Sequence, residues 1–390
     1  MTTRARQVGY CTNVHAGADL ATTKENLLRH ACEVKRLAYP DQPMGIGLWL
    51  AAPAARDLVE LDTIAPFAAW LAEAGLTPFT LNGFPYGDFH QDVVKHKVYQ
   101  PTWVAEERES YTLDLIAILD GILPAGQSGS ISTLPLCWGD PAPKADFLQA
   151  AAARLLSVAR TCADLEKASG RLITICLEPE PGCALQTSHD MVRFFQNFLL
   201  NGPNAEIARR HLRVCHDVCH AAVMFEPQRD VLQRYRNAGI RVGKVQVSSA
   251  VCLDFSALDP SQRPAAVEQL SKFSEDRYLH QTVVRHDTGD TFFEDLPLAL
   301  QAQGDSLSGE WRVHFHVPIY LESFGLLGTS RDDIIECLAA TAADDGLTHF
   351  EVETYAWGVL PSELQQQTLA AGIAEEMRWF ESVANAQARG

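Results

Sequence analysis

The chain has 390 residues, enough for two average domains or for one elaborated barrel. With 47% hydrophobic and 21% charged residues, disorder, collagen and coiled coil are excluded as the main architecture. The formal charge of −17, from 32 Lys plus Arg against 49 Asp plus Glu, opposes binding to a phosphate backbone, and no run of Lys or Arg makes a local basic patch. Nucleic acid is therefore not expected as a partner.

No apolar run is long enough for a membrane span, so no membrane insertion is expected. The opening residues hold no secretory-type apolar core. Ten cysteines are scattered without a Cys-x-x-Cys pair, several inside apolar runs, which suits a reduced, cytoplasmic protein.

Short β-type runs alternate with helix-type runs along the chain. Val8–His15 reads as the first strand, followed by a helix carrying Leu27, Leu28, Ala31, Val34 and Leu37 at helical spacing. Gly45–Leu50 is the second strand, with a helix across 54–74 ended by Gly75. Pro78–Phe84 is the third, before a helix near 103–122. Ser130–Cys137 is the fourth, before an alanine-rich helix over about 146–168. Leu172–Glu178 is the fifth, and Ser188 or Asp190 caps the next helix. Leu212–Asp217, Val242–Ser248 and residues 349–355 complete the strands, and a last helix follows Pro361 and Ser362.

These strands are short and apolar throughout, as strands buried on both faces of a parallel sheet are. Eight such units predict a single (β/α)8 TIM barrel. No full Gly-x-Gly-x-x-Gly, Walker loop or Gly-x-Ser-x-Gly elbow competes with that reading. Two stretches, roughly 84–103 and 250–330, exceed a minimal barrel. They are expected as long loops after the third and seventh strands, on the catalytic face.

Residues suited to ligating a metal cluster where strands end. The fifth strand runs into Glu178, which reads as a ligand or as a salt-bridged glutamate. The sixth ends in Asp217, with His220 three residues on. A turn there lets both meet one ion; the alternatives are a capping Asp with a core His, or a Cys215/Cys219 thiolate site. On the seventh, Lys244, Gln246 and Ser248 share one face. His314 and His316 share a face further on, fitting a metal site or plain hydrogen bonding, and Glu351 and Glu353 do so on the last strand. Acids closing on one point repel without a cation between them, so a divalent metal centre is the economical account.

In these residues the chain resembles the xylose isomerase-like barrel superfamily, which holds sugar isomerases, epimerases, dehydratases and abasic-site endonucleases. Glu178, Asp217 with His220, and Glu353 match that group's metal pattern. Gln246 stands where a His is usual, which favours a harder ion, and His316 offers a replacement imidazole. The resemblance implies a metal set of Glu178, Asp217, His220, Gln246, His316 and Glu353 holding Mn or Zn, with Mg, Co or Fe also fitting. It further implies that Glu178 and Glu353 move protons on a sugar, cyclitol or sugar phosphate through an enediolate. Asn82-Gly83-Phe84-Pro85-Tyr86-Gly87, Ser130–Pro135, His314–Pro318 and Glu353-Thr354-Tyr355-Ala356-Trp357 look more narrowly like the metabolite-traffic protein family of the bacterial ebo cluster.

Substrate contacts are expected from Asn82, His90 and Lys95 in the loop after the third strand, from Lys244 and His314, and from Arg285 on the opposite side; the loop's basic residues otherwise read as a solvated surface. A non-catalytic metabolite carrier and a metal-assisted hydrolase or lyase are the competing functions. A homo-oligomer fits this barrel group.

Overall fold

The computed structural model describes residues 6–303, 307–342, 344 and 346–387. Seven strands lead: β1 Gln7–Cys11, β2 Met44–Trp49, β3 Leu76–Asn82, β4 Gly129–Thr133, β5 Ile173–Leu177, β6 Leu212–Asp217 and β7 Val242–Val247. Six more follow: β8 Val251–Asp254, β9 Thr282–His286, β10 Gly289–Phe293, β11 Glu310–Val313, β12 Ser323–Phe324 and β13 Leu327–Thr329. Then comes β14, His349–Val352.

β1 to β7 and β14 close into an all-parallel barrel in the order β1-β14-β7-β6-β5-β4-β3-β2. Every residue of β4, β5, β6, β7 and β14 is buried. Helices cover the outside of the barrel, and side chains fill its inside, so an apolar run without alternation is what such strands require. The predicted (β/α)8 barrel is the fold observed.

The differences from expectation are local. The helix over 54–74 is two helices, Ala52–Glu60 and Ile64–Glu73, with Asp62 at φ +50° between them. Pro66 has no N–H to give inside a continuous helix, and a fresh start places it in a first turn where none is needed. The fourth strand stops at Thr133, and the last at Val352, where Tyr355–Val359 turns as a 3-10 helix. The closing helix begins only at Leu369.

The stretch after β7 is more than a loop. β8 to β13 form a six-stranded sheet in the order β10-β9-β11-β8-β13-β12, with antiparallel pairing at each junction. The segment after β3 packs against this insertion: the Val94 and Lys95 N–H groups both donate to Arg277 O. Among the described residues no helix is long and apolar enough to cross a membrane.

Candidate metal centre at the barrel mouth

Asp217 ends β6 and caps the short helix Val218–Val223. Its Oδ1 accepts from the His220 backbone N–H at 2.9 Å and from the Ser248 hydroxyl at 2.7 Å. Its Oδ2 is buried with no partner. Glu178, one residue beyond β5, likewise buries Oε2 without a partner. Glu353, one residue beyond β14, takes the side-chain amides of Asn13 and Asn82 on a single oxygen, at 2.7 and 3.0 Å. One oxygen from each of these carboxylates falls within 4.8 Å of the other two.

Three imidazoles complete the ring. His220 Nδ1 lies 2.8 Å from Pro179 O, His316 Nδ1 2.7 Å from Glu353 O, and His314 Nδ1 2.7 Å from Gln281 Oε1. Each partner is a carbonyl oxygen and can only accept. (Gln281 Nε2 is already donating to Tyr99 and Glu180.) Each Nδ1 therefore carries a proton, and the unpartnered Nε2 of His316 presents a lone pair. His316 Nε2 is buried with no partner, and the His220 and His314 Nε2 atoms face each other at 3.2 Å. An imidazole oriented by a carbonyl on its far nitrogen is the usual preparation of a metal ligand.

Electrostatics agree with the geometry. Burial, then Asp217 and Glu351, push the Glu353 carboxyl up to about 8. Burial, then Glu353 and Asp217, raise Glu178 well above the carboxylate range. Burial opposes the charge of Asp217 too, but His220, His316 and its two hydrogen bonds bring it below the ordinary value. Burial keeps His314 well below the usual imidazole range and brings His316 to about 4. Neutral imidazoles and crowded carboxylates with free oxygens fit a divalent cation. A paired Cys215/Cys219 site is not what the fold gathers: among the described residues Cys215 stands in no candidate group, and Cys219 stands only beside His314 and His316.

The predicted site residues do not all meet. Glu178, His220, His314, His316, Glu353, Asn82 and Lys95 line one cavity, with Asp217 at its base. Gln246 pairs in register with Asp217 and Glu351, fully buried, with both amide atoms unpartnered, but it does not line the cavity. Lys95 also bonds Asp295 at 2.8 Å. His90 stands one step back, its Nε2 2.6 Å from Asn13 O, so it positions the amide that holds Glu353.

Two expected substrate contacts lie elsewhere. Lys244 is sealed in the barrel interior, its ammonium 2.6 Å from Glu351. An apolar strand cannot bury a lysine without such a partner. Arg285 sits on the β9–β10 hairpin, paired with Asp290 at 2.8 and 2.7 Å and lying over the Phe225 ring, away from the cavity.

Residues that sequence reasoning missed are Asn13, Glu180, Tyr278 and Gln281. Glu180 accepts from Tyr99 at 2.7 Å and from Gln281 at 3.0 Å. Phe89, Tyr278 and Tyr355 form an aromatic cover, with ring centres 5.0–5.4 Å apart. The signal for Glu180 was present, two residues past Glu178. Gln281 carries no motif.

No protein-family model matches the chain, and no curated protein does. Solved structures are similar in fold. A xylose isomerase-like TIM-barrel protein from Mycobacterium smegmatis, in complex with magnesium, matches over 100% of this chain and 99% of its own, at 10% identity and TM-score 0.53. A xylose isomerase domain protein from Alicyclobacillus acidocaldarius covers 98% and 100% at 14% identity and TM-score 0.48. A probable 3-DHS dehydratase from Bacillus anthracis covers 96% and 98% at 13% identity and TM-score 0.47. With the closed eight-stranded parallel barrel, the first of these establishes the fold as that of the xylose isomerase-like TIM barrels.

Proposed function

We propose that the chain is a divalent-metal-dependent isomerase or epimerase acting on a sugar, a cyclitol or their phosphate. One observation carries the reading: Glu178 Oε2, Asp217 Oδ2 and His316 Nε2 are buried, unpartnered and gathered beside Glu353 at the C-terminal mouth of the barrel. Glu178, Asp217, His316 and Glu353 would hold the ion, with His220 and Gln246 at its edge. Carboxylate oxygens with imidazole nitrogens suit Mn or Zn, and Mg, Co and Fe also accept such donors.

The bound cation would supply polarisation of a substrate carbonyl, which acidifies the neighbouring C–H and favours the enediolate. The chain's own groups do the rest. Glu178 and Glu353 come from β5 and β14, three strands apart around the mouth, so a substrate between them meets a carboxylate from each. One takes the carbon-bound proton and the other returns it, a transfer worth roughly 10²–10⁴-fold. Asn13 and Asn82 fix the orientation of Glu353. Phe89, Tyr278 and Tyr355 would exclude water, and Lys95 and Glu180, which line the same cavity, would meet substrate oxygens. All ten cysteines are free, which supports a reducing, cytoplasmic setting.

Metal content of untagged protein, measured by mass spectrometry, tests the centre. About one equivalent in wild type, lost in Glu178→Ala and Asp217→Ala, is expected. No metal in wild type after reconstitution overturns the reading. Solvent deuterium exchange into candidate sugars and cyclitols then tests the chemistry. Binding without exchange would point instead to the metabolite-carrier role that the ebo-like phrases suggest.

A further inference from the structure

The opposite end of the barrel carries charge that the metal centre does not use. A cleft of about 820 Å³ opens where β6, β7 and β14 begin, walled by the helices Gln228–Asn237 and Arg331–Thr341. Arg213, Arg236 and Arg241 line it, with Asp344 the acid among its lining residues. In a chain of net charge −17, three guanidinium groups against one carboxylate among the described lining residues is a local concentration of positive charge.

Arg213 is the unusual member. It is 7% exposed, yet its side chain makes no hydrogen bond or ion pair among the described residues, and its Nε is buried without a partner. Its charged neighbours do not compensate. Arg241 and Arg210 oppose its charge, and Arg210 is itself bound to Glu166; Asp344 and the Cys176 thiol act the other way. Burial raises that thiol above its ordinary value. Room for the arginine is built in: a Cβ on Gly243 would lie 3.1 Å from both Cβ and Cδ of Arg213 and 2.3 Å from Cys176 Sγ. Asp344 and Glu166 act on Arg213 without forming an ion pair with it, and its Nε is buried unpartnered, so an anion entering the cleft would offset the cost of that burial.

We infer that this cleft binds the phosphate group of a small phosphorylated compound, with Arg213 as its buried anchor and Arg236 and Arg241 at the rim. Guanidinium forks match phosphate oxygens in pairs, and a dianion suits several of them at once. The cleft is far larger than a bare phosphate. Leu232, Ile240 and Leu347 give it an apolar wall on which an organic body would lie.

Calorimetric titration of the metal-loaded protein at constant ionic strength, with inorganic phosphate and glycerol phosphate as separate probes, tests this. Wild type should bind at least one probe saturably. Arg213→Met should weaken binding at least tenfold, Arg241→Ala about threefold, and Arg285→Ala, in a surface pair remote from the cleft, not at all. Equal affinity for the two probes identifies free phosphate as sufficient; tighter glycerol phosphate identifies an ester. If Arg213→Met fails to fold, the exposed pair Arg236→Ala and Arg241→Ala, made together, replaces it and should also cost at least tenfold. Failure of both probes to bind wild type overturns the proposal. So does binding within twofold of wild type in Arg213→Met, or binding lost when wild type is stripped of metal, which would place the anion at the metal mouth.

Discussion

Glu351 and Glu353 stand two residues apart at the end of β14, both buried, and they are treated in opposite ways. Glu351 has a cation of its own, since Lys244 from β7 reaches it at 2.6 Å. Burial alone would strip the proton from that lysine, yet Glu351 holds it well above the ordinary value. Glu353, one layer higher, has two neutral amides and faces two more carboxylates. A third buried acid, Glu376, shows an intermediate solution: it accepts from the Thr354 hydroxyl, the Trp357 indole and the Ile319 N–H, with no cation. The same residue type is thus neutralised inside the protein, solvated by neutral donors, or left open at the mouth. Only the open arrangement wants something from outside.

The contrast can be broken at its strongest point first. Asp217→Ala or Glu178→Ala should reduce bound metal to background and lower any proton-exchange activity by roughly 10³-fold or more, read by metal analysis and deuterium exchange. Lys244→Met should leave metal content intact but destabilise the fold by about 3–5 kcal/mol in denaturant unfolding, because Glu351 is left buried and charged. The double variant Lys244→Met with Glu351→Leu should recover most of that loss. If the single variant is neutral, the inner pair is not what balances Glu351.

Gln281→Leu sharpens the contrast from the imidazole side. Without the Gln281 carbonyl, His314, an expected substrate contact, loses the partner that sets its proton on Nδ1, and substrate KM should rise about tenfold while bound metal and the fold persist. Glu376 gives a pH signature. Burial pushes its carboxyl up to about 7 in the folded chain, so its contribution is fully present below the ordinary carboxylate value and is lost as pH rises through 7. The change should be at most about 3 kcal/mol, and Glu376→Gln should flatten the stability profile between pH 4.5 and 7. Smallest of all, Arg285→Ala should change activity by less than about twofold, since that side chain is spent on Asp290 at the surface.

The barrel was legible in the sequence because burial on both faces leaves an unmistakable trace: runs such as Ile173–Leu177 and Val242–Val247 have no solvent face to record. The insertion left no such trace. β10 is exposed or half-buried throughout, and β12 has two residues, so neither alternation nor an apolar run marks them. In the site, Glu178, Asp217 and Glu353 were legible because a carboxylate at the end of an apolar strand needs a reason. Lys244 looked like a substrate contact for the same reason, and its partner on another strand is invisible to local spacing. Gln281 and Asn13 are neutral amides in unremarkable stretches, and only folding reveals that they hold His314 and Glu353 in place.

His316 belongs to the insertion, yet its Nδ1 proton is given to Glu353 O at the end of the barrel's last strand. Its other nitrogen would meet an ion also held by β5 and β6. The ion would then be a clasp across a seam of the chain, and its release would be felt mechanically. Chelation should loosen the second sheet before the barrel, as faster amide exchange across β9 and β11 at unchanged barrel protection. Since Tyr278, Leu279, His314 and His316 of that same insertion line the cavity, loss of the ion would also loosen one wall of the cavity.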